Sequence, residues 1–163
     1  MKKTQRNSYW CCRLAALVLV LLTGSSSQSA DWRSLTPLPG EITIDMPSRD
    51  VPPKVAKLSG VWQGQWQFSG SSGLSTTIII ERIDRKGVSA IYSWNGYSWN
   101  SSETMKPGWL RVRGSVEGDL IVLKWGTPPQ TFTVTLELTD DKTAHAEYFY
   151  TSYQAKARLD RKD

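Results

Sequence analysis

The single histidine is the residue that most directly raises the question of catalysis in this chain of 163 residues. His145 alternates with Ala144, Ala146 and Tyr148, so in an extended strand its side chain lies on the opposite face and points to solvent. A zinc site would need further histidine or cysteine ligands, and a Ser-His-Asp triad would need a serine on a sharp Gly-x-Ser-x-Gly turn, which the sequence lacks. We expect neither a metal centre nor a hydrolase.

Carboxylates within strands are the other groups that could supply an acid and base pair. Glu137 and Glu147 alternate with apolar residues, which predicts a solvated face for both. Glu81 follows three consecutive isoleucines, residues 78–80, that hide which face of its strand points inward. The sequence also has no glycine-rich phosphate loop and no dinucleotide fingerprint. We predict a protein that is not an enzyme and that carries no cofactor.

An aromatic segment is the strongest candidate for a binding element. Residues 92–100 repeat the tetrad Tyr-Ser-Trp-Asn around Gly96, and Asn95-Gly96 is typical of a tight hairpin turn. Aromatic rings suit a sugar or a flat apolar ligand, because each ring offers a large contact area with few rotors to freeze. The predicted ligand-contacting residues are Trp94, Tyr97, Trp99 and Trp109. In the alternative interpretation, Trp94 and Trp99 form a hydrophobic plug at the end of the fold.

The net charge of +5 is concentrated at the N-terminus. Lys2, Lys3, Arg6 and Arg13 lie in the first 30 residues, which contain no acid, leaving 16 of the 20 basic residues against all 15 acidic ones. Binding a polyanion by displacing counterions requires a surplus of cations on one face. We therefore expect no nucleic-acid partner.

The first 30 residues have the three parts of a secretory signal peptide. A cationic stretch ends at Arg13, an apolar run of nine residues extends from Leu14 to Leu22, and a small, polar stretch ends at Ala30. The run is about half the ~20 residues that a helix needs to cross a bilayer, so we expect no transmembrane segment in the mature chain. Cleavage after Ala30 is predicted, with cleavage after Ser27 as the alternative, and the protein is expected to be periplasmic or secreted and bacterial.

Both cysteines precede the apolar run. Cys11 and Cys12 therefore leave with the signal peptide, and neither stands at the cleavage site where a lipid-anchored cysteine must be. The mature chain then has no disulfide, even in a compartment that permits one. Its stability must come from its hydrophobic core.

Residues 31–58 are predicted to form a Pro-rich tether. Each proline removes a backbone donor and biases the residue before it towards extended geometry. A spacer and a short element packed back on the domain both fit this composition, and the spacer is favoured. The prolines are Pro37, Pro39, Pro47, Pro52 and Pro53.

Residues 59–163 show the pattern of a single domain of short strands. In the clearest one, Trp62, Gly64, Trp66 and Phe68 alternate with three glutamines, which is the two-residue period of a half-buried strand. Turn residues separate the successive runs. The predicted strands cover residues 62–68, 74–83, 88–94, 109–116, 120–125, 131–138, 143–150 and 153–161.

Eight sequential strands without a helical period predict antiparallel pairing between neighbours. A flat sheet of this kind would expose two edges, and closing it into a cylinder removes both. We predict an all-β fold, an eight-stranded antiparallel up-and-down β-barrel. A two-sheet β-sandwich is the structural alternative.

The sequence from Leu58 to Arg161 resembles the lipocalin-like, or calycin, barrels. The resemblance is carried by Gly60-Val61-Trp62 at the start of the first strand and by a basic residue in the last, Arg158 or Arg161. In that superfamily the tryptophan lies near the closed end of the barrel, beneath an arginine of the final strand. The resemblance implies that Trp62 and Arg158 or Arg161 are structural closure residues, joined by a cation–π contact worth ~0.5–2 kcal/mol.

Two functions fit these observations. The first is an exported, non-enzymatic module that binds a small apolar or carbohydrate ligand at an aromatic-lined barrel mouth. The second is a barrel with a closed core that acts through protein–protein contact, as an inhibitor or an envelope accessory protein. The volume left inside the strands distinguishes them, because a packed interior leaves no room for a deeply held ligand.

Overall fold

The computed structural model describes residues 32–68, 73–98 and 104–163, so the predicted signal peptide lies outside the described residues. No helix among the described residues is long and apolar enough to cross a membrane. The elements, in chain order, are a 3₁₀ turn (Trp32–Ser34), α1 (Pro53–Ala56), β1 (Gly60–Trp66), β2 (Leu74–Asp84), β3 (Gly87–Trp94), β4 (Tyr97–Ser98), β5 (Thr104–Met105), β6 (Gly108–Glu117), β7 (Leu120–Thr127), β8 (Gln130–Asp140), β9 (Thr143–Tyr150) and β10 (Tyr153–Lys162).

Eight strands form a closed antiparallel barrel in the order β1-β10-β9-β8-β7-β6-β3-β2. The first and last strands close it, with Trp62 opposite Arg161 and Gly64 opposite Leu159. The only other elements of sheet in the described residues are β4 and β5, which form a small hairpin between β3 and β6. The prediction of an eight-stranded up-and-down barrel is confirmed, and the two-sheet alternative is wrong.

Two glycines allow the strands to bend tightly enough to close the ring. A Cβ atom at Gly64 would lie 2.2 Å from the carbonyl oxygen of Arg158, and one at Gly114 would lie 2.4 Å from that of Val122. Neither position has room for a side chain, because neighbouring backbone approaches too closely. Glycine at these two sites is therefore a requirement of closure.

Side chains of alternating size fill the interior of the barrel. Trp62 and Trp66 are fully buried beside small residues of β9 and β10, which leave space for the two indoles. In β2, Ile78 and Ile80 point inward while Ile79 points outward, so the run of isoleucines serves both faces. The small inward residues of β9 and β10 are Ala144, Ala146, Ala155 and Ala157.

α1 and the turn after it cover the end of the barrel at which β1 begins, which we call the closed end. Val55 and Leu58 are fully buried in the main core cluster. The indole N–H of Trp62 donates to the carbonyl of Leu58 at 2.7 Å. Lys54 lies 3.2 Å from Glu137, and Lys57 lies 2.7 Å from Asp141, so exposed ion pairs tie α1 to the rim.

Residues 36–50, which we call the strap, run along the outside of β1, β2 and β3. Leu38 and Ile42 pack on an outer apolar cluster formed by Val61, Ile79 and Ile91. The sequence favoured a free spacer over a segment packed back on the domain, yet the described part of this region makes the contacts of the second alternative. Its prolines keep the chain extended and leave few backbone donors to satisfy.

The strap is anchored where β2 extends beyond β1. The pairing of these strands ends at Gly60 and Ile80, which leaves the following residues of β2 without a partner on that side. The backbone N–H of Asp45 donates to the carbonyl of Glu81 at 2.7 Å, and that of Ser48 donates to the carbonyl of Ile83 at 3.1 Å. The strap thus covers a sheet edge that closure alone leaves open.

Candidate functional site

The end of the barrel opposite α1, which we call the mouth, is lined by aromatic side chains. At the mouth, β1, β3, β7 and β9 end and β2, β6, β8 and β10 begin. Residues far apart in sequence therefore meet there. These inward-facing rings form a continuous series of contacts that we call the mouth cluster. Its members are Trp66, Phe68, Tyr92, Trp94, Trp125, Phe132, Tyr148 and Tyr150.

Three rings of the mouth cluster stack in parallel across β7, β8 and β9. The centroids of Trp125 and Phe132 lie 5.4 Å apart with an interplanar angle of 8°. Those of Phe132 and Tyr150 lie 4.2 Å apart with an angle of 6°. The residues are direct cross-strand partners, so the pairing register itself creates the stack. All three are half-buried, which leaves part of this aromatic strip open to solvent.

Three further rings of the mouth cluster adjoin the strip, the buried Trp66 and Tyr92 and the half-buried Tyr148. The indole N–H of Trp66 donates to the hydroxyl of Tyr92 at 3.0 Å, and the ring of Tyr92 lies 4.9 Å from that of Trp125. Tyr148 lies 5.7 Å from Trp66. Burial raises the pKa of Tyr92 and raises that of Tyr148 to about 12, so both hydroxyls are neutral near pH 7. The floor of the mouth is therefore apolar and uncharged.

The structure separates the four predicted ligand-contacting residues. Trp94 belongs to the mouth cluster, 5.8 Å from Tyr92, and its N–H donates to the carbonyl of Lys106 at 2.8 Å. Tyr97 is half-buried against the core cluster. Trp109 instead lies on the outer face of β6, 41% exposed, with the guanidinium of Arg111 6.0 Å from its ring. Trp99 lies outside the described residues.

The Asn95-Gly96 dipeptide does not form the predicted hairpin turn. It connects β3 to β4, and the hairpin pairs Tyr97 with Met105 and Ser98 with Thr104. The backbone N–H of Asn95 donates to the carbonyl of Ser75, which holds the connection against β2. The Asn95 side-chain oxygen is buried without a hydrogen-bond partner among the described residues.

The two candidate closure arginines have different positions. Arg161 lies over the ring of Trp62 at 5.2 Å and donates to the carbonyl oxygens of Lys57 and Ser59 at 2.6 and 2.8 Å. Arg158 points outward, its side chain 78% exposed and 3.6 Å from Asp160. Arg161 therefore occupies the position over the tryptophan, and Arg158 does not.

The groups considered for catalysis are dispersed over the outer surface. The side chain of His145 is exposed and lies 3.5 Å from Glu147, whose pKa is lowered chiefly by a hydrogen bond from Lys156. Glu81 is buried on the outer face beneath the strap, where Arg111 binds its carboxylate at 3.2 Å. Within the described ranges, no group of three histidine, cysteine or acidic side chains could hold a metal ion.

Two depressions lined by described residues lie on the outside of the barrel near the closed end. One of about 310 Å³ lies beside Asp50, Arg85 and Ser115, and one of about 250 Å³ lies beside Asp140 and His145. Both are shallow and lined by turn and strand-end residues. Neither of them continues into the aromatic interior.

The sheet opens at the mouth between β6 and β7. Their pairing extends only from Glu117 and Leu120 to Arg113 and Lys124. Residues 108–112 of β6 pair with β3 alone, and residues 125–127 of β7 pair with β8 alone, within the part of the chain that the structure describes. β6 and β7 are therefore unpaired between the mouth and Arg113, and Trp125, the first ring of the stack, lies beside this unpaired stretch.

The alternation of residues in the sequence indicated which faces point inward, but it did not indicate the stack. Phe132, Tyr148 and Tyr150 lie in predicted strands at positions in phase with the interior, and the predicted topology brings the ends of those strands together. Each of the three consecutive strands β7, β8 and β9 has an inward-phased aromatic residue near its mouth end. This pattern could have indicated the stack. The repeated Tyr-Ser-Trp-Asn tetrad was more conspicuous, but it starts at the end of one strand, β3, and says nothing about the neighbouring strands.

Comparisons with known proteins give the fold no family name. No family model and no curated protein sequence matches the chain. The chain is similar to a redesigned β-barrel, with a TM-score of 0.49 and 10% identity over 68% of this chain and 96% of that one. It is also similar to the S-type phycobiliprotein lyase CPES from Guillardia theta, with a TM-score of 0.37 and 11% identity over 66% and 89% of the two chains. The assignment of the fold rests on the closed strand pairing itself.

Proposed function

We propose that this barrel is a non-enzymatic binding module whose ligand places a flat apolar or sugar ring on the mouth cluster. The observation that supports this most directly is the parallel stack of Trp125, Phe132 and Tyr150, which is half-buried and partly open to solvent. Flat faces of this kind bind rings through contact area and lose little side-chain entropy on binding.

The packing of the barrel favours a ligand held at the surface of the mouth rather than deep inside. Trp62, Trp66 and Tyr92 fill the interior beneath the stack and are buried. β6 and β7 do not pair beside Trp125, so on this side no strand is hydrogen-bonded next to the stack.

Tryptophan fluorescence during titration with short oligosaccharides, fatty acids and retinoids tests this proposal. Phe132→Leu removes the central ring of the stack while keeping every tryptophan in place, and it is expected to weaken binding about ten-fold, since an aromatic contact contributes roughly 0.5–1.5 kcal/mol beyond its buried area. Trp109→Leu, which removes an aromatic ring from the outer face, is the matched control and should leave the affinity unchanged.

A lack of response to every ligand class would contradict the proposal. So would loss of binding in Trp109→Leu together with normal binding in Phe132→Leu, because the site would then lie on the outer face. Either variant must retain the circular dichroism spectrum of the unmodified protein for the comparison to count.

The alternative function, protein–protein contact by a barrel with a closed core, is supported by the filled interior around Trp62 and Trp66. It predicts no saturable response to any of the small ligands. It also predicts that a partner protein binds equally well to Phe132→Leu, unless the partner itself covers the mouth.

We further propose that the protein is exported after removal of its first 30 residues. The N-terminal sequence supports this, with its cationic start, its apolar run and its small residues before Asp31. Mass spectrometry of protein recovered outside the cytoplasm should give a mature N-terminus at Asp31, or at Gln28 for the alternative cut. Recovery of the intact chain with the cytoplasmic fraction would contradict export.

A further inference from the structure

β6 has a paired strand on only one side over part of its length. Its pairing with β3 continues to Gly108, whereas its pairing with β7 ends at Arg113 and Lys124, within the described residues. Residues 108–112 therefore form an edge in the barrel wall, which we call the open edge. An unpaired strand edge presents backbone donors and acceptors that another strand can match.

Two residues of the open edge direct their backbone groups to the unpaired side. The two-residue turn at 118–119 joins Glu117 to Leu120, and such a turn is closed by a hydrogen-bonded pair. In an antiparallel ladder every second residue of a strand bonds to the same neighbour. Counting back from Glu117, the N–H and C=O of Arg111 and Trp109 face the side on which β7 no longer pairs.

A row of cations crosses the outer face at the point where the open edge begins. Neighbouring residues of β2, β3, β6, β7 and β8 lie side by side in this row, which we call the basic row, and it contains three cations and no acid. Like charges on directly opposed residues destabilise a sheet, and the cations of β6 and β7 are direct cross-strand partners. The basic row comprises Arg82, Ser89, Arg113, Lys124 and Thr133.

The positive charge of the basic row is only partly balanced. Arg82 lies 3.2 Å from Asp84, and Lys124 lies 4.0 Å from Glu117 with its side chain 58% exposed. Arg113 is exposed and forms no ion pair within the part of the chain that the structure describes. The surplus charge thus lies on the two residues at which the pairing of β6 with β7 ends, and an anionic group is attracted there.

The open edge and the basic row together indicate the chemistry of a partner. An isolated anion would neutralise Arg113 and Lys124 but would leave the backbone groups of the open edge unmatched. An extended polypeptide matches them, and acidic residues at every second position place all their carboxylates on one face. A second copy of this chain that used the same edge would bring its own basic row against the first, which charge repulsion disfavours.

We propose that the open edge binds an extended, acidic segment of a partner protein as an additional antiparallel strand, with its carboxylates beside Arg113 and Lys124. Directly opposed residues of an antiparallel pair share a face, and the residues of β6 that bond to this side carry outward side chains. The acidic residues of the segment are therefore the ones that bond to β6, and the residues between them point inward and are apolar. This interaction goes beyond the proposed ring-binding function, and each can be measured without the other.

Fluorescence anisotropy with a capped, fluorescein-labelled peptide of alternating glutamate and valine tests this proposal. Saturable binding that weakens with added salt is expected. N-methylation of the glutamate amides removes the donors that face β6 and should abolish binding, whereas N-methylation of the valine amides removes donors that face away and should preserve it. Both methylated peptides carry the same charge, so they separate backbone pairing from attraction between charges.

Substitutions in the basic row test the charge requirement. The double variant Arg113→Gln with Lys124→Gln is expected to weaken binding of the unmethylated peptide about five-fold. Lys142→Gln with Arg158→Gln is the matched control, because it removes the same charge from two exposed residues outside the basic row. The control should keep the affinity within about two-fold, since distant surface charges are screened.

Hydrogen exchange of the Trp109 and Arg111 amides gives a measurement on the protein itself, and it should slow when the peptide binds. No binding of the peptide, equal affinity for the two methylated peptides, or equal losses in the two double variants would overturn the proposal. So would tighter binding by Glu103→Gln, because the basic row would then hold an acid of the chain's own β4–β5 connection, which lies outside the described residues. A dimer of the free protein in which both amides are protected would also overturn it, by assigning the open edge to a second copy.

Discussion

Trp66 and Tyr92 are joined through their polar atoms inside the barrel. The indole N–H of Trp66 donates to the phenolic oxygen of Tyr92 at 3.0 Å, and both side chains are buried. The two residues belong to β1 and β3, which are separated by β2 in the ring and do not pair. The bond therefore links strands that the sheet itself does not connect, directly beneath the aromatic stack of the mouth.

Tyr92→Phe is expected to destabilise the protein by about 1–3 kcal/mol, because it leaves the buried N–H of Trp66 without an acceptor. Urea unfolding followed by far-UV circular dichroism measures the change in the free energy of unfolding. Tyr153→Phe, which removes a hydroxyl from an exposed side chain, is the control and should change stability by less than about 0.5 kcal/mol. Equal effects of the two substitutions would mean that the buried bond contributes nothing specific.

Arg161 is expected to be the arginine on which the closed end depends. It holds the carbonyl oxygens of Lys57 and Ser59 and covers the ring of Trp62, so Arg161→Met should cost about 2–4 kcal/mol. Arg158→Met, three residues earlier on the same strand, loses only an exposed ion pair and should be close to neutral. Thermal unfolding of both variants gives the comparison, and a larger loss in Arg158→Met would contradict this assignment.

The strap is expected to contribute to stability through the side chains that face the barrel. Ile42→Ala removes apolar contact with the cluster of Val61, Ile79 and Ile91 and should cost roughly 1–2 kcal/mol. Ile44→Ala, two residues along and 43% exposed, should cost much less. Hydrogen exchange of the Asp45 amide, which bonds to Glu81, should accelerate in Ile42→Ala only. If both alanine variants unfold like the unmodified protein, the strap does not stabilise the barrel.

The buried tyrosines predict a loss of stability at alkaline pH. The pKa of Tyr148 is raised to about 12 in the folded protein, chiefly by burial, against about 10 in an unfolded chain. Because the folded state holds this proton more tightly, the contribution is present below pH 10 and is lost as the pH rises towards 12.

Chemical unfolding at several pH values above 9 measures this dependence, and absorbance at 295 nm follows tyrosine ionisation. Tyr148→Phe should make the decline in stability shallower without abolishing it, since burial also raises the pKa of Tyr92. An unchanged pH dependence in Tyr148→Phe would show that its hydroxyl ionises alike in the folded and unfolded states.

The barrel was predictable from the sequence because several of its strands, β6, β8 and β10 above all, alternate between buried and exposed residues. Phe132, Val134 and Leu136 face the interior in phase, and the turns between strands carry glycine or charged residues. The strap was harder to predict. Its contacts with β2 depend on β2 extending beyond β1. This offset is set by the pairing register of the two strands, which the sequence of neither strand specifies by itself.

The site was only partly predictable for the same reason. Trp94 belongs to the mouth cluster and Tyr97 packs on the core cluster, so the pattern at the end of β3 was informative. Trp109 faces outward because the register of β6 gives the inner face to Leu110 and Val112. The stack of Trp125, Phe132 and Tyr150 requires two strand registers to be known at once. Alternation reveals the face that a residue occupies but not the residue beside it on the next strand.

Closure by the first and last strands has a consequence for how the chain must be made. β10, which holds the partner of Trp62, is synthesised after the other seven strands of the barrel, so the ring cannot be completed until all eight strands have left the ribosome. Until then β1 offers an unsatisfied edge, and a chain cut short before Tyr153 keeps it permanently. A polypeptide of this topology therefore cannot complete its hydrogen-bonded ring while any of the eight strands is still being synthesised.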